Sequence, residues 1–360
     1  MIFATSQEGS PGAARRGPSE HWNAAALSRD LGRRPRAVSI DGREIVLFRD
    51  EQGRPGALDD VCPHRRMRLS QGCVVDGKLR CAYHGWTFDR RGRGESPGTP
   101  KLHSRSACYD VHEAYGVLFV KPADCAATFP QFDVVGYRHL CSLEAVAEAP
   151  LELALDNFTE IEHTPMVHER FGYVLERMAE VTTRVDSTPT SVHVVNRGPH
   201  KPMPWWLRLP LGVGRETVFT DEWTTYFSPV HAVIDHSWVD GVTGKPARLA
   251  LRYYLFFTPA ADDRTLIETI VFGKADLPGP RQGANLYGPL IARFARGEVD
   301  GDCAILAKLA DKRPDLRGMK LSRFDQPLGL HRERIDRIYR GRVEAPPEGA
   351  IVDRRREPTT

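Results

Sequence analysis

No stretch of this 360-residue sequence reaches the roughly 18 consecutive apolar residues that a membrane-spanning helix needs, so no membrane partner is expected. Charge of one sign is also missing. Fifty Lys and Arg stand against 47 Asp and Glu, and a formal net charge of +3 is too small for a nucleic-acid binder. Cysteine is scarce: the seven run from Cys62 to Cys303, an odd number too thinly spread for a disulfide scaffold, and a reduced, cytoplasmic setting fits best. Residues 1–20 are polar, rich in Gly, Pro and Ser, and lack the apolar run of a signal peptide, so they read as a flexible tail. Residues 344–360 read as a second loose tail. What remains, 41% hydrophobic and 27% charged residues, is the composition of a globular enzyme, long enough for two domains with cores of their own.

Texture divides the chain into units at 21–135 and 136–343. From Trp22 to Lys121, short alternating segments (37–40, 44–48, 117–120) are punctuated by turn pairs such as Asp41-Gly42 and Asp76-Gly77, which predicts a small antiparallel β domain. From about Leu140 a helical stretch over 152–162 is predicted, followed by β-rich segments at 181–195, 217–227, 248–257 and 266–272 and a helix over 285–309. An α+β architecture follows, an antiparallel sheet with helices on one side and space for a ligand between the layers.

Within the first unit lies Cys62-Pro63-His64, then sixteen residues, then Cys81-Ala82-Tyr83-His84-Gly85-Trp86. Each loop offers one thiolate and one imidazole, and a Rieske [2Fe-2S] cluster needs two of each. The Asp76-Gly77 pair midway supplies a hairpin that would bring the loops together. A structural zinc site also uses Cys and His, but it usually pairs like with like. Cys73, Cys108, Cys125, Cys141 and Cys303 read as small core side chains.

The second constellation is Asn157-x2-Glu160-x2-His163-x4-His168. Asn157, Glu160 and His163 recur every three residues and would form one polar stripe on a helix. On a continuous helix His163 and His168 would stand about 140° apart, so Pro165 between them is read as a helix break that turns both rings toward one ion. Two histidines call for a carboxylate to complete a 2-His-1-carboxylate triad on iron(II). In the 285–309 helix, Asp302 shares a face with Ile291, Phe294, Ile305, Leu306 and Leu309, which makes it the candidate, while Asp300 falls with Arg293 and Arg296 on the solvent side.

Together, Cys-x-His-x16-Cys-x2-His followed by Asn-x2-acid-x2-His-x4-His resembles the α subunits of Rieske non-haem iron oxygenases, over residues 22 to 340. The shorter members look most similar, such as vanillate and dicamba O-demethylases and aminopyrrolnitrin oxygenase. The resemblance implies an N-terminal all-β Rieske domain holding the cluster through Cys62, His64, Cys81 and His84. A helix-grip (START-like) catalytic domain follows, holding Fe(II) through His163, His168 and Asp302. It implies a mono- or dioxygenase that takes O2 as co-substrate and electrons from NAD(P)H through a flavin reductase or ferredoxin, and that oxygenates a small organic substrate. It also implies a homotrimer in which an acidic residue bridges His84 of one subunit to His163 of the next. Relatives usually place Asp at that bridge, and this chain has Glu160, with Asn157 beside it as a second catalytic candidate. A Rieske electron carrier fused to a non-catalytic ligand-binding domain is the alternative, and His163, His168 and an inward Asp302 argue against it. Arg65, Arg66 and Arg68 after the first loop are candidates for docking an acidic donor, or a plain charged loop. Trp205 and Trp206 are read as a possible lid, and Tyr253, Leu255 and Phe257 as pocket lining for an apolar aromatic or heterocyclic substrate.

Overall fold

The computed structural model describes residues 21–275 and 284–342, and the tails expected at 1–20 and 344–360 lie outside them. The chain is α+β, as the patterning predicts. Three antiparallel sheets carry it. A six-stranded sheet runs in the spatial order 23–27, 117–122, 108–114, 55–59, 43–49 and 36–40. A five-stranded sheet of very short strands, 73–75, 78–80, 87–88, 93–95 and 104–105, is inserted between the fourth and fifth of these in sequence. The Asp41-Gly42 and Asp76-Gly77 turns both have positive φ at both residues, the mirror-image turn geometry that matches strand twist in tight hairpins.

The second unit is a seven-stranded sheet in the order 138–147, 264–275, 249–261, 230–240, 217–227, 191–199 and 182–187. Two strands escaped sequence reading: Arg138–Ala147, where a helix was expected to open the unit, and Val230–Asp240. The segment read as one strand at 181–195 is a hairpin, because Ser187 to Ser191 closes a turn in which Thr188 N–H donates to Ser191 O at 2.9 Å.

Strand Leu249–Ala261 shows why its centre, Tyr253-Tyr254-Leu255-Phe256-Phe257, is apolar without alternation. Tyr253, Leu255 and Phe257 face one core, shared with the helices, while Tyr254 and Phe256 face another, shared with Trp22 and Phe119 of the first unit. Phe119 meets Phe256 edge to face at 4.9 Å. The two large sheets therefore pack back to back, and a strand buried on both faces loses the period-two signal.

Over the other face of the seven-stranded sheet lie helices α1 (Leu151–Phe158), α2 (Thr164–Val167), α3 (Trp205–Leu211), α4 (Ala284–Ala307) and α5 (Gln326–Arg334). α4 buries Ile291, Ala295, Val299, Asp302 and Leu306, a stripe with 3.6-residue spacing that includes the one carboxylate. Ile305 and Leu309, expected on this stripe, are exposed, and the helix ends at Ala307. Arg332 on α5 makes a bidentate pair with the buried Asp156 of α1, at 2.8 and 2.5 Å, and so fixes α1 from behind. Among the described residues no helix is long and apolar enough to cross a membrane.

Candidate metal centres and the adjoining cleft

Two loops meet at one end of the first unit, and they are built alike. Cys62 N–H donates to Met67 O and Arg66 N–H to Cys62 O; Cys81 N–H donates to Trp86 O and Gly85 N–H to Cys81 O. Each turn needs a positive φ four residues after its cysteine, supplied by Arg66 at 59° and Gly85 at 73°. The hairpin at Asp76-Gly77 holds the loops side by side. The Cys62 and Cys81 thiols face each other inside, while His64 and His84 lie toward the surface with ring centroids 4.5 Å apart. Trp86 stacks on His64 at 4.9 Å. Burial pushes the Cys62 thiol up; amides from His64 and Arg65 pull it back and the Cys81 thiol adds to the rise, an arrangement that a bound cation would relieve. Two sulfurs inside and two imidazoles outside are the donor set that a [2Fe-2S] Rieske cluster requires.

Cys73, read as a core residue, is instead exposed with Arg80 Nη2 3.5 Å from its sulfur, because it begins a strand at the domain surface. The glycine before it is under tighter constraint. A Cβ on Gly72 would sit 2.0 Å from Arg80 O, the carbonyl next to Cys81. We expect Gly72→Ala to displace the second loop at a cost of about 1–3 kcal/mol. The check is the temperature at which the visible absorbance of the cluster is lost, which should fall, whereas the same change at Gly98, where nothing stands within 4 Å, should leave it in place.

In the second unit the helix expected over 152–162 stops at Phe158. Thr159 ends it: its N–H donates to Asp156 O at 3.1 Å and its hydroxyl to Leu155 O at 2.6 Å. Glu160 and His163 thus lie beyond α1, not on a helical stripe with Asn157. Pro165 is not the break either. It sits in the first turn of α2, where its missing N–H costs nothing, and the chain leaves helical geometry at His168, with ψ at 133°. The histidines come together because α2 begins after the first and ends before the second.

There the structure assembles three ligand atoms. His163 Nε2 and His168 Nε2 lie 3.3 Å apart, and Asp302 Oδ1 lies 3.2 and 3.0 Å from them. Ligands about 2.1 Å from one ion at near-right angles are separated by about 3 Å, so the set fits a facial triad. The outer ring nitrogens are also occupied. His163 Nδ1 donates to Glu160 Oε1, and Glu160 Oε2 accepts from Glu162 N–H at 2.5 Å. His168 Nδ1 lies 2.8 Å from Glu298 Oε2. Burial would lower both imidazoliums, but Asp302 together with Glu160 or Glu298 holds them up, at about 10 for His163 and about 9 for His168. Burial would raise Asp302; the two histidines hold it down at about 2. Three carboxylates around two imidazoles make a charge balance that suits a bound cation.

Glu298 was missed in the sequence, although it precedes Asp302 by one helical turn on the same helix. Asp300 is exposed beside Arg296 at 3.7 Å. Asn157 does not line the cleft, and its Nδ2 is buried without a hydrogen-bond partner. Glu162 and the three arginines are exposed, with Arg68 tied to Glu44 at 3.0 Å.

The triad opens on a cleft between α4 and the sheet, walled by Phe171, Phe219, Ile234, Tyr253 and Leu255. Phe257 instead packs on Phe158 at 5.7 Å. A second cavity adjoins across Phe171; Leu207 and Leu211 of α3 line it, while Trp205 and Trp206 point outward at 68% and 42% exposure.

A Rieske fold followed by such a sheet-and-helix unit defines the class of Rieske oxygenase α subunits, whose cofactors are a [2Fe-2S] cluster and Fe(II). Residues 21–110 match the Rieske [2Fe-2S] domain family, and residues 147–337 match the Vanillate O-demethylase oxygenase C-terminal domain family. The chain belongs to that family. It is 30% identical to the vanillate O-demethylase oxygenase subunit of Pseudomonas sp. over 238 residues, 61% of this chain and 65% of that one. It is 37% identical to the phenoxybenzoate dioxygenase subunit alpha of Ectopseudomonas oleovorans over 123 residues, 32% of this chain and 30% of that one. A match to Protein TIC 55, chloroplastic, of Arabidopsis thaliana, 28% identical, covers 44% of this chain and 32% of the relative, so the chain spans about a third of that protein. In fold it is similar to dicamba monooxygenase bound to 3,6-dichlorosalicylic acid, with a TM-score of 0.74 at 18% identity over 89% of this chain and 97% of the other.

Proposed function

We propose that this chain is the oxygenase component of a Rieske non-haem iron system that hydroxylates, demethylates or otherwise oxygenates a small aromatic or heterocyclic substrate. The observation that carries this reading is the triad of His163 Nε2, His168 Nε2 and Asp302 Oδ1, about 3 Å apart, at the wall of an aromatic cleft. Cys62, His64, Cys81 and His84 would hold the cluster in a unit spanning 21–135, and the triad would hold Fe(II) in a unit spanning 136–343. When bound, the two groups supply reducing equivalents and O2 activation.

The protein's own part is positional. Glu160 accepts a hydrogen bond from His163 Nδ1–H, which turns that ring's Nε2 lone pair toward the common centre, and the Glu298 carboxylate stands 2.8 Å behind His168 Nδ1. Asp302 adds a carboxylate from α4, its Oδ1 turned to both Nε2 atoms. Phe171, Phe219 and Tyr253 keep bulk water from the space where substrate would lie. His64 and His84, toward the surface, leave the histidine end of the first site open to a neighbouring subunit. That exposure supports the homotrimer, in which Glu160, partly exposed behind His163, would reach the neighbouring subunit. Electrons would come from NAD(P)H through a ferredoxin or flavin reductase, and steering by Arg65, Arg66 and Arg68 would make the docking rate fall with ionic strength.

The test is turnover with a generic ferredoxin–reductase pair, 18O2 and a panel of methoxylated and N-methylated aromatics. Label in a hydroxylated product, or formaldehyde released in step with O2 uptake, is expected. Reductant-driven O2 uptake that no panel member raises, with no labelled product, would leave the chain an electron carrier only.

A further inference from the structure

The cleft contains a polar pair that the metal centre does not use. Asp221 and His236 are register partners on the strands Thr217–Phe227 and Val230–Asp240. Both side chains stand on the inner face of the sheet and line the cleft with His163, His168 and Asp302. Asp221 Oδ1 lies 3.3 Å from His236 Nε2. Neither Asp221 Oδ1 nor His236 Nδ1 has a hydrogen-bond partner, although Asp221 is only 8% exposed. The His236 ring is boxed between aromatics, with centroids 4.9 Å from Tyr253 and 5.1 Å from Phe219. A buried carboxylate oxygen left without a donor costs free energy, so evolution of a plain core would place an apolar residue there.

The charges around the pair narrow the partner. Four carboxylates line the cleft, on Glu160, Asp221, Glu298 and Asp302, and no Lys or Arg lines it among the described residues. Lys201, just outside, is committed to the backbone: its ammonium donates to the carbonyls of Thr164 and His168. Arg138 and Arg170 line the neighbouring cavity beyond Phe171, not this one. Even with a divalent ion held by the triad, negative charge exceeds positive. An aromatic carboxylate entering here would meet repulsion with no cation to pair it.

Resting on the oxygenase reading, we infer that Asp221 is a specificity-determining residue that, beside the stacking face of His236, selects an aromatic substrate bearing a neutral or cationic hydrogen-bond donor, an O–H or N–H group, and rejects aromatic acids. The donor hydrogen goes to the Asp221 carboxylate, the ring stacks among Phe219, Tyr253 and His236, and the opposite end of the substrate points to the triad.

Binding rather than turnover tests this, so its outcome is independent of whether the oxygenation reading holds. The probes are 2-naphthol, 2-naphthylmethylamine, 2-methoxynaphthalene and 2-naphthoate, titrated into the cluster- and iron-loaded protein and followed by calorimetry. We expect the naphthol and the amine to bind roughly tenfold or more tighter than the methyl ether, the scale of one hydrogen bond to a charged acceptor, and the naphthoate to bind least. In Asp221→Leu the advantage of naphthol over its ether should vanish; in Asp221→Asn, which keeps the shape if the leucine variant fails to fold, the amine should lose its advantage while naphthol keeps most of its own. His236→Phe keeps both an aromatic face and the Asp221 acceptor, so naphthol and ether should change alike and their ratio stay within about threefold. Naphthoate binding as tightly as the amine, an unchanged naphthol-to-ether ratio in Asp221→Leu, an undiminished amine advantage in Asp221→Asn, or no binding of either donor probe to the unaltered protein would each overturn the proposal.

Discussion

His168→Ala is expected to give a folded protein that keeps its cluster's visible spectrum and loses its mononuclear iron, with substrate oxygenation at background. The effect is large because the residue is one of three ligand atoms within 4.8 Å of one another, and no fourth His, Cys or acid of the described residues joins that set. The loss should be confined to one centre, since the triad belongs to the seven-stranded unit while Cys62, His64, Cys81 and His84 sit on loops with separate backbone hydrogen bonds. Asp302→Ala should behave alike, with an added cost: two buried histidines that now share one acid would be left beside Glu160 and Glu298 alone. Iron and sulfide determinations on the purified variants check this, and iron content equal to that of the unaltered protein would remove both residues from the ligand set.

Glu160→Gln is expected to lower turnover by about 10- to 100-fold while both metal centres stay loaded. Glu160 accepts from two donors at once, the His163 Nδ1–H and the Glu162 backbone N–H. A carboxylate satisfies both; an amide has one oxygen, so its NH2 must face one of the two N–H groups. The His163 ring then loses either its orientation or the negative charge behind it. The same residue is the proposed link to the neighbouring subunit's cluster, so the O2-dependent reoxidation of the prereduced cluster in a single turnover should slow in the variant. Glu298→Gln makes the control: it removes the charge behind His168 but sits on α4, and should lower iron retention without slowing cluster reoxidation in the iron-loaded fraction. Single-turnover rates unchanged in Glu160→Gln would leave that residue a plain structural partner of His163.

The parts of this site that could be read from the chain are those whose members are neighbours in sequence. Cys62, His64, Cys81 and His84 come from two loops joined by one hairpin, and a turn pair is visible as Asp76-Gly77. His163 and His168 were legible for the same reason, but the backbone that presents them was not. The three-residue spacing predicts a helical stripe, whereas Thr159 caps α1 with its own hydroxyl and the histidines flank a separate four-residue helix. Asp302 was found because α4 is long and its buried stripe is regular. Glu298 was passed over because a glutamate one turn away looks like any solvated helix residue until a histidine from another element meets it. Asp221 and His236 had no signal at all: they become neighbours through the register of two strands, one of which, Val230–Asp240, was itself unread. Its sequence alternates polar and apolar residues irregularly, with His231 and Asp240 buried and Val233 and Val239 partly exposed.

The account depends on two kinds of iron centre in one polypeptide, and counting metals in the protein purified under argon tests it most directly. About three iron atoms and two acid-labile sulfides per chain are expected, with one iron lost selectively to a mild chelator and absent from His168→Ala. Zinc in place of iron, or two irons with two sulfides and no third that depends on His168, would contradict it.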